Sequence, residues 1–153
     1  MKKLSRLMLL ITTLIFISAS VVWGAGAVTT FTSSYLGYKV YKYSFAWTGD
    51  GSGGAVTSYV TPKITGYVFS GVTNPGTVQP TDNYDITLSD DNGADVFGGE
   101  LLNRDTANSE QATPKIGNAY GTRFVNSRLT FAASGQSVNS ATGTLDVYVY
   151  VGD

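Results

Sequence analysis

The sequence predicts an all-β fold, an antiparallel β-sandwich or small barrel of about seven strands preceded by an N-terminal apolar helix. Three observations support this prediction. Short apolar runs alternate with a period of two, turn signals recur about every 8–12 residues, and no amphipathic helix pattern follows residue 27. The chain has 153 residues, 18 of them glycine, which suits one domain with its own core.

The N-terminal 27 residues differ in composition from the rest of the chain. Residues 1–6 carry three basic side chains, residues 7–23 are uncharged and mostly apolar, and small residues follow up to Ala27. This order is typical of a secretory signal peptide. A membrane anchor, an assembly helix and a misassigned start codon are the alternatives. We therefore expect a leader over residues 1–27, with any membrane contact confined to it, and a single β-sandwich domain over residues 28–153.

The first strands are predicted between residues 36 and 72. Residues 36–47 alternate, with an aromatic row formed by Tyr41, Tyr43, Phe45 and Trp47. A period of two indicates a half-buried strand. The Gly-rich residues 48–54 predict a surface loop. Strands are also expected at residues 56–60 and 64–72, the latter with two apolar faces: Ile64, Val68 and Val72 on one, Tyr67 and Phe69 on the other.

The later strands are separated by turns and one long loop. Residues 84–89 alternate, which predicts that Tyr84, Ile86 and Leu88 face inward. Residues 90–93 end in Asn-Gly, a strong hairpin signal. Residues 95–111 break the alternation and predict an ordered loop. Strands are expected at residues 124–125, 129–133 and 145–151, the last with an aliphatic row opposite a polar and aromatic one.

The composition excludes many kinds of chemistry. The chain contains no cysteine and no histidine, so it cannot form disulfides, zinc-thiolate sites or a Ser-His-Asp triad. We therefore expect a protein that is not an enzyme and that needs no cofactor. Residues 28–153 hold seven basic and eleven acidic side chains, a net charge of −4. That balance, with no basic cluster, argues against nucleic acid as a partner.

A carboxylate-rich turn is the only metal candidate in the sequence. Asp90, Asp91 and Asp95 lie within six residues, and calcium takes six to eight oxygen ligands. The spacing does not match an EF-hand loop. An ordinary hairpin turn and a calcium site are the two interpretations.

Two further groups of residues are candidates for a loop lock or an interface. Arg104 adjoins Asp105 and is within reach of Glu110, which predicts bidentate bonds that lock the loop, with ligand or partner contact as the alternative. Tyr38, Tyr148 and Tyr150 are expected on strand faces away from the aliphatic row. They form either a second core face or exposed aromatic anchors for a partner or a sugar.

The central part of the chain resembles a known family. The motifs are TDNYDITL at residues 81–88, DVFGG at 95–99 and NRDTANSEQ at 103–111, together with a Y-x-F-x-W strand ending at Trp47. They are similar to those of small structural proteins of tailed-phage and prophage virions. The resemblance covers residues 38–151, and its most specific part is the run 103–111.

The resemblance implies a non-enzymatic virion component at the capsid surface, neck or tail. Its partners would be further copies of itself and other virion proteins, in a symmetric assembly. The leader-like N-terminus departs from the family pattern, because virion proteins normally assemble in the cytoplasm. An exported lectin-like or adhesin-like β-sandwich, located in the periplasm or outside the cell, is therefore the alternative.

Overall fold

A computed structural model describes residues 24–152, which form eleven β-strands and no helix. Seven of the strands have five residues or more. The all-β class is therefore confirmed. The strands are β1 (Ala27–Gly37), β2 (Val40–Thr48), β3 (Tyr59–Val60), β4 (Ile64–Pro75), β5 (Asp85–Ser89), β6 (Glu110–Ala112), β7 (Lys115–Ile116), β8 (Ala119–Tyr120), β9 (Arg123–Ser127), β10 (Thr130–Ser134) and β11 (Thr142–Tyr150).

The predicted N-terminal helix and signal peptide fall largely on residues 1–23, which lie outside the described residues. No helix within residues 24–152 is long and apolar enough to span a membrane. Strand β1 begins at Ala27, one residue before the predicted start of the domain. The carbonyl of Gly26 accepts a hydrogen bond of 2.8 Å from the Thr57 amide. Gly26 and Ala27, which the sequence assigned to the leader, therefore contact the β-domain.

The strands pair antiparallel in two main sheets. The larger sheet has the order β1-β2-β11-β4, and β4 also pairs with β6 at one end and β9 at the other. The smaller sheet has the order β3-β10-β5, while β7 and β8 form a separate hairpin. The last long strand, β11, thus lies in the middle of the larger sheet between β2 and β4.

The core lies between the two sheets. Phe45 of β2 stacks on Phe131 of β10 with ring centroids 5.4 Å apart, and the ring of Trp47 lies 5.7 Å from that of Tyr84. Alternate positions of β5 and β11 face this core, as their period of two predicts. The buried side chains of these segments are Tyr84, Ile86, Leu88, Leu145, Val147 and Val149.

The first hairpin differs from its prediction. The strand expected over residues 36–47 begins at Val40, because Tyr38 and Lys39 form a two-residue turn with φ of 49° and 62°. Tyr38 therefore lies at the tip of the hairpin, 96% exposed, and not on a strand face. Tyrosine and lysine seldom adopt this left-handed conformation, and the usual Asn-Gly signal is missing. Strand β1, rich in threonine and serine, was not predicted.

A bulge in β4 changes which residues share a face. Val149 pairs with Val68 and Tyr148 pairs with Ser70, so Phe69 is an extra residue on β4. Because an extra residue inverts the alternation beyond it, Val72 lies on the opposite face from Val68. The expectation that Ile64, Val68 and Val72 share one face is wrong for Val72. The expected strand over residues 56–60 is likewise reduced to β3, Tyr59–Val60.

The long loop between β5 and β6 closes one end of the core. It is irregular and ordered by turns, as predicted, but Val96, Phe97 and Leu101 are fully buried. Phe97 packs against Gly71 of β4, where a Cβ atom would lie 2.7 Å from the ring. The loop thus supplies core side chains that no strand pattern indicates.

Candidate functional site

The outer face of the larger sheet carries a group of aromatic side chains. Its members come from β4, β9 and β11, and we call them the aromatic face: Tyr67, Phe69, Phe124, Tyr148 and Tyr150. They point away from the core because the inner positions of β11 are taken by Val147 and Val149. Tyr67, Phe124 and Tyr150 are exposed on this face, whereas Phe69 and Tyr148 are half-buried.

The aromatic face is continuous across three strands. Tyr67 packs on Phe124 with ring centroids 5.2 Å apart, and Phe69 lies 6.2 Å from Tyr148. Tyr150 pairs with Tyr67 in the register of β11 and β4, which joins the two ring pairs. Tyr67, Phe124 and Tyr150 are more than 40% exposed. Tyr148 and Tyr150, both candidates from the sequence, therefore lie side by side on the outer face of the sheet, Tyr148 half-buried and Tyr150 exposed.

Polar groups surround the aromatic face. Tyr148 and Phe69 line a depression of about 400 Å³ together with Val72 and Gln111. The Gln111 amide donates a 3.1 Å hydrogen bond to the Ser70 hydroxyl at its edge. Beside Tyr148, Lys42 Nζ lies 3.3 Å from Asp146 Oδ2. Apolar rings flanked by hydrogen-bonding groups are typical of binding surfaces.

A second depression, the loop pocket, contains two of the sequence-predicted residues. It encloses about 440 Å³ and is lined by Glu100, Arg104, Glu110, Gln111, Ala112, Thr113 and Tyr120. Gln111 also lines the depression beside Tyr148. Gln111 therefore connects the loop pocket with the aromatic face, so Arg104, Glu110 and Tyr148 contribute to one continuous surface.

Arg104 ties the loop together from its centre. Its Nε and Nη2 atoms both donate to the Leu102 carbonyl, at 3.0 and 2.7 Å, and Nη1 lies 3.6 Å from Glu110 Oε2. Glu110 in turn accepts a 2.7 Å hydrogen bond from the Asp105 amide. The bidentate contact is thus made with a backbone carbonyl and not, as the sequence suggested, with a carboxylate.

Asp105 and Glu100 hold two further parts of the loop. Hydrogen bonds from the amide of Ala107 and from the side chain and amide of Asn108 lower the pKa of Asp105. The hydrogen bond from Lys115, 3.1 Å away, lowers the pKa of Glu100, and Tyr120 adds a second bond. Both carboxylates are therefore ionised at neutral pH and serve as acceptors that attach the turn and the β7–β8 hairpin to the loop.

The three calcium candidates have separate hydrogen-bonding roles. Asp90 accepts the amides of Asn92 and Ala94, both at 2.9 Å, which closes the turn. Asp91 faces Arg128, and Asp95 accepts two amides of its own loop. Residues 24–152 contain no group of three or more metal-ligating side chains arranged around one point. Asp90 therefore closes the hairpin turn, while Asp91 and Asp95 hold neighbouring segments of the chain.

Tyr84 is fully buried near Arg104, Asp105 and Glu110, and its ionisation should destabilise the fold at alkaline pH. Burial raises its pKa from 10.0 to about 12, against a smaller opposing effect of Arg104. The folded state therefore favours the neutral phenol, and that stabilisation is complete below pH 10 and lost as the pH rises towards 12.

We expect the urea midpoint to fall between pH 10 and pH 12, and Tyr84→Phe to make this fall shallower. The hydroxyl has no hydrogen-bond partner among the described residues, so the variant should match the native stability at pH 7. Urea unfolding at pH 8 and pH 11 measures both. Tyr38→Phe at the exposed hairpin tip controls for the loss of a tyrosine, and an unaltered pH profile in Tyr84→Phe would contradict the prediction.

Several residues of this surface were not identified as candidates from the sequence. Tyr67 and Phe69 were recognised as one face of a strand, but Phe124 and Gln111 received no role. Period-two spacing in β4 and β11 does place their aromatic residues on one side each. The order of the strands in the sheet, which brings β9 and β11 to β4, has no local signal in the sequence.

Comparisons with protein-family models, with curated proteins and with solved structures gave no match to this chain.

Proposed function

We propose that this chain is a non-enzymatic structural protein of a tailed-phage virion, a capsid decoration, neck or tail component that works by symmetric assembly. The observation that carries the proposal is the aromatic face, five neighbouring rings on the outer side of an antiparallel sheet, of which Tyr67, Phe124 and Tyr150 are more than 40% exposed. Contiguous exposed aromatic side chains are characteristic of surfaces that bury another protein. The resemblance of residues 81–111 to virion proteins supplies the biological setting.

The construction of the domain suits a static role. The segment with the family-like motifs packs Phe97 and Leu101 into the core and is held by Arg104, Asp105 and Glu110. A loop fixed in this way keeps the adjoining sheet in one shape. An interface whose segments are already ordered before binding loses little conformational entropy when copies assemble.

Sedimentation velocity and negative-stain imaging of the purified full chain test the proposal. We expect defined oligomers or rings, or association with phage particles. A strictly monomeric chain with no particle association would contradict it.

The double variant Tyr148→Ala/Tyr150→Ala tests whether the aromatic face makes the contact. Truncation of aromatic anchors at the centre of an interface costs about 2 kcal/mol or more, so the dissociation constant should rise at least about thirtyfold. Ile116→Ala, which removes an exposed apolar side chain from the separate β7–β8 hairpin, is the matched control. Equal assembly of the double variant and the native chain would remove the aromatic face from the proposal.

An exported lectin-like module is the second candidate, and the depression beside Tyr148 favours it. A ring with neighbouring amide and hydroxyl groups, here Gln111 and Ser70, can stack on a sugar and bond its hydroxyls. A glycan array with the native chain and the same double variant separates the two. Glycan binding that the variant loses would favour the lectin, and a blank array would favour assembly.

A further inference from the structure

We infer that β1 is a self-association edge, at which two copies of the chain pair β1 against β1 around a two-fold axis to form one continuous sheet. The inference specifies one contact of the proposed assembly, and it rests on the proposed function only because it requires the chain to associate with itself. Strand β1 is the outermost strand of the larger sheet and pairs with β2 on one side. Among residues 24–152 no strand pairs with its other side.

Strand β1 lacks the features that protect sheet edges. Its eleven residues, AVTTFTSSYLG, include no charged side chain and no proline. Exposed edges usually carry lysine, proline or an inward charge, because a long unprotected edge can pair with another chain. The other side of the sheet is different, since β6 has only three residues including Glu110, and β9 begins with Arg123. The two sides of the sheet are therefore unlike, and β1 is the one suited to strand addition.

Charge favours a second copy as the partner. A two-fold axis brings the residues nearest to it close to the same residues of the other copy, so a charge near the middle of the strand would repel its own copy. An uncharged strand of 11 residues avoids this cost completely. Antiparallel pairing around an axis perpendicular to the sheet also keeps both cores on the same side of the continuous sheet, which gives a closed dimer.

The side chains of β1 indicate a register centred on Ser33. Regular pairing with β2 runs from Thr30 to Tyr35 between two bulges. With Ser33 on the axis, Phe31 lies opposite Tyr35 of the second copy on the inner side. On the outer side Thr32 lies opposite Ser34. Aromatic pairs and hydroxyl pairs are both favourable across antiparallel strands. Centring on Thr32 would instead place Phe31 opposite serine.

A single cysteine tests this register in the native chain, which contains no cysteine of its own. In Ser33→Cys the two Cα atoms would be about 4.5–5.5 Å apart, within disulfide range. In Ser34→Cys, equally exposed, they would be about 7–8 Å apart, beyond that range. We expect Ser33→Cys to form a disulfide-linked dimer at least about tenfold faster than Ser34→Cys under mild oxidation. Ser52→Cys, in an exposed loop, is the control that measures disulfide formation by random collision of two chains.

A charge exchange identifies the partner as a second copy. Thr32 is exposed on the outer side, so Thr32→Lys and Thr32→Glu should each keep the thermal midpoint and lose the dimer. An equimolar mixture of the two should restore it, because the two copies of residue 32, diagonal neighbours about 7–8 Å apart across the axis, then carry opposite charges. Sedimentation velocity measures all three samples.

The outcomes separate this inference from the proposed function. If the native chain assembles but Ser33→Cys cross-links no faster than Ser34→Cys, the pairing of β1 is wrong and the proposed function stands. If β1 dimers form while particle association and the effect of Tyr148→Ala/Tyr150→Ala are both absent, the proposed function fails and the pairing of β1 stands. A strictly monomeric native chain overturns both.

Discussion

Replacement of Phe97 by alanine is expected to lower the free energy of unfolding by about 3–5 kcal/mol, the usual cost of truncating a buried phenylalanine. The side chain is fully buried although it belongs to the loop between β5 and β6. Its ring fills the space above Gly71, and its carbonyl accepts the amide of Lys115, so the loop and the β7–β8 hairpin both depend on its position. Urea unfolding monitored by tryptophan fluorescence measures the loss.

Gly71→Ala provides the companion measurement. An added Cβ would lie 2.7 Å from the Phe97 ring, so the single variant should itself lose about 1–3 kcal/mol through overpacking. In the Phe97→Ala background the new methyl group meets no ring. The double variant should therefore be more stable than the sum of the two single losses implies, which is the sign of direct contact. Strict additivity, or a loss below about 1 kcal/mol in Phe97→Ala, would show that the ring does not fill this site.

Arg104→Ala is expected to have the second largest effect, a loss of about 1.5–3 kcal/mol typical of a hydrogen bond to a charged group. Only 13% of the side chain is exposed, and the guanidinium supplies two hydrogen bonds to the Leu102 carbonyl and an ion pair to Glu110. Its removal leaves that carbonyl without these donors inside the loop. The thermal midpoint and the urea midpoint should both fall.

Two variants control for charge and for side-chain shape. Arg128→Ala removes the same charge from an ion pair with Asp91 whose arginine side chain is 64% exposed, so its cost should stay below about 1 kcal/mol. Arg104→Lys keeps the charge but cannot place two donors on one carbonyl in the same way, and should recover only part of the loss. An unchanged midpoint in Arg104→Ala would instead assign this residue to contact with a partner.

For strands with one solvent-exposed face, the inward-facing residues could be predicted from the sequence of the strand itself. In β5 and β11 the period of two predicts which side chains enter the core, and Ile86, Leu88, Leu145 and Val147 are all buried. The ordered loop predicted over residues 95–111 was likewise visible from glycine and polar residues, although Glu110 and Gln111 belong to β6. Its burial was not, because Val96, Phe97 and Leu101 follow no period. They are buried because they fill the space that the strands leave at one end of the core.

By itself, the sequence determined the all-β class, the inward faces of the regular strands and the absence of cysteine and histidine chemistry, because each depends on residue type or local alternation. The tertiary structure alone decided that Phe69 forms a bulge, that Tyr148 and Tyr150 join Tyr67 and Phe124 on one face, and that β1 lies at the edge. These features depend on which strands become neighbours. Strand order is set by the packing of residues far apart in the chain, as when β11 inserts between β2 and β4.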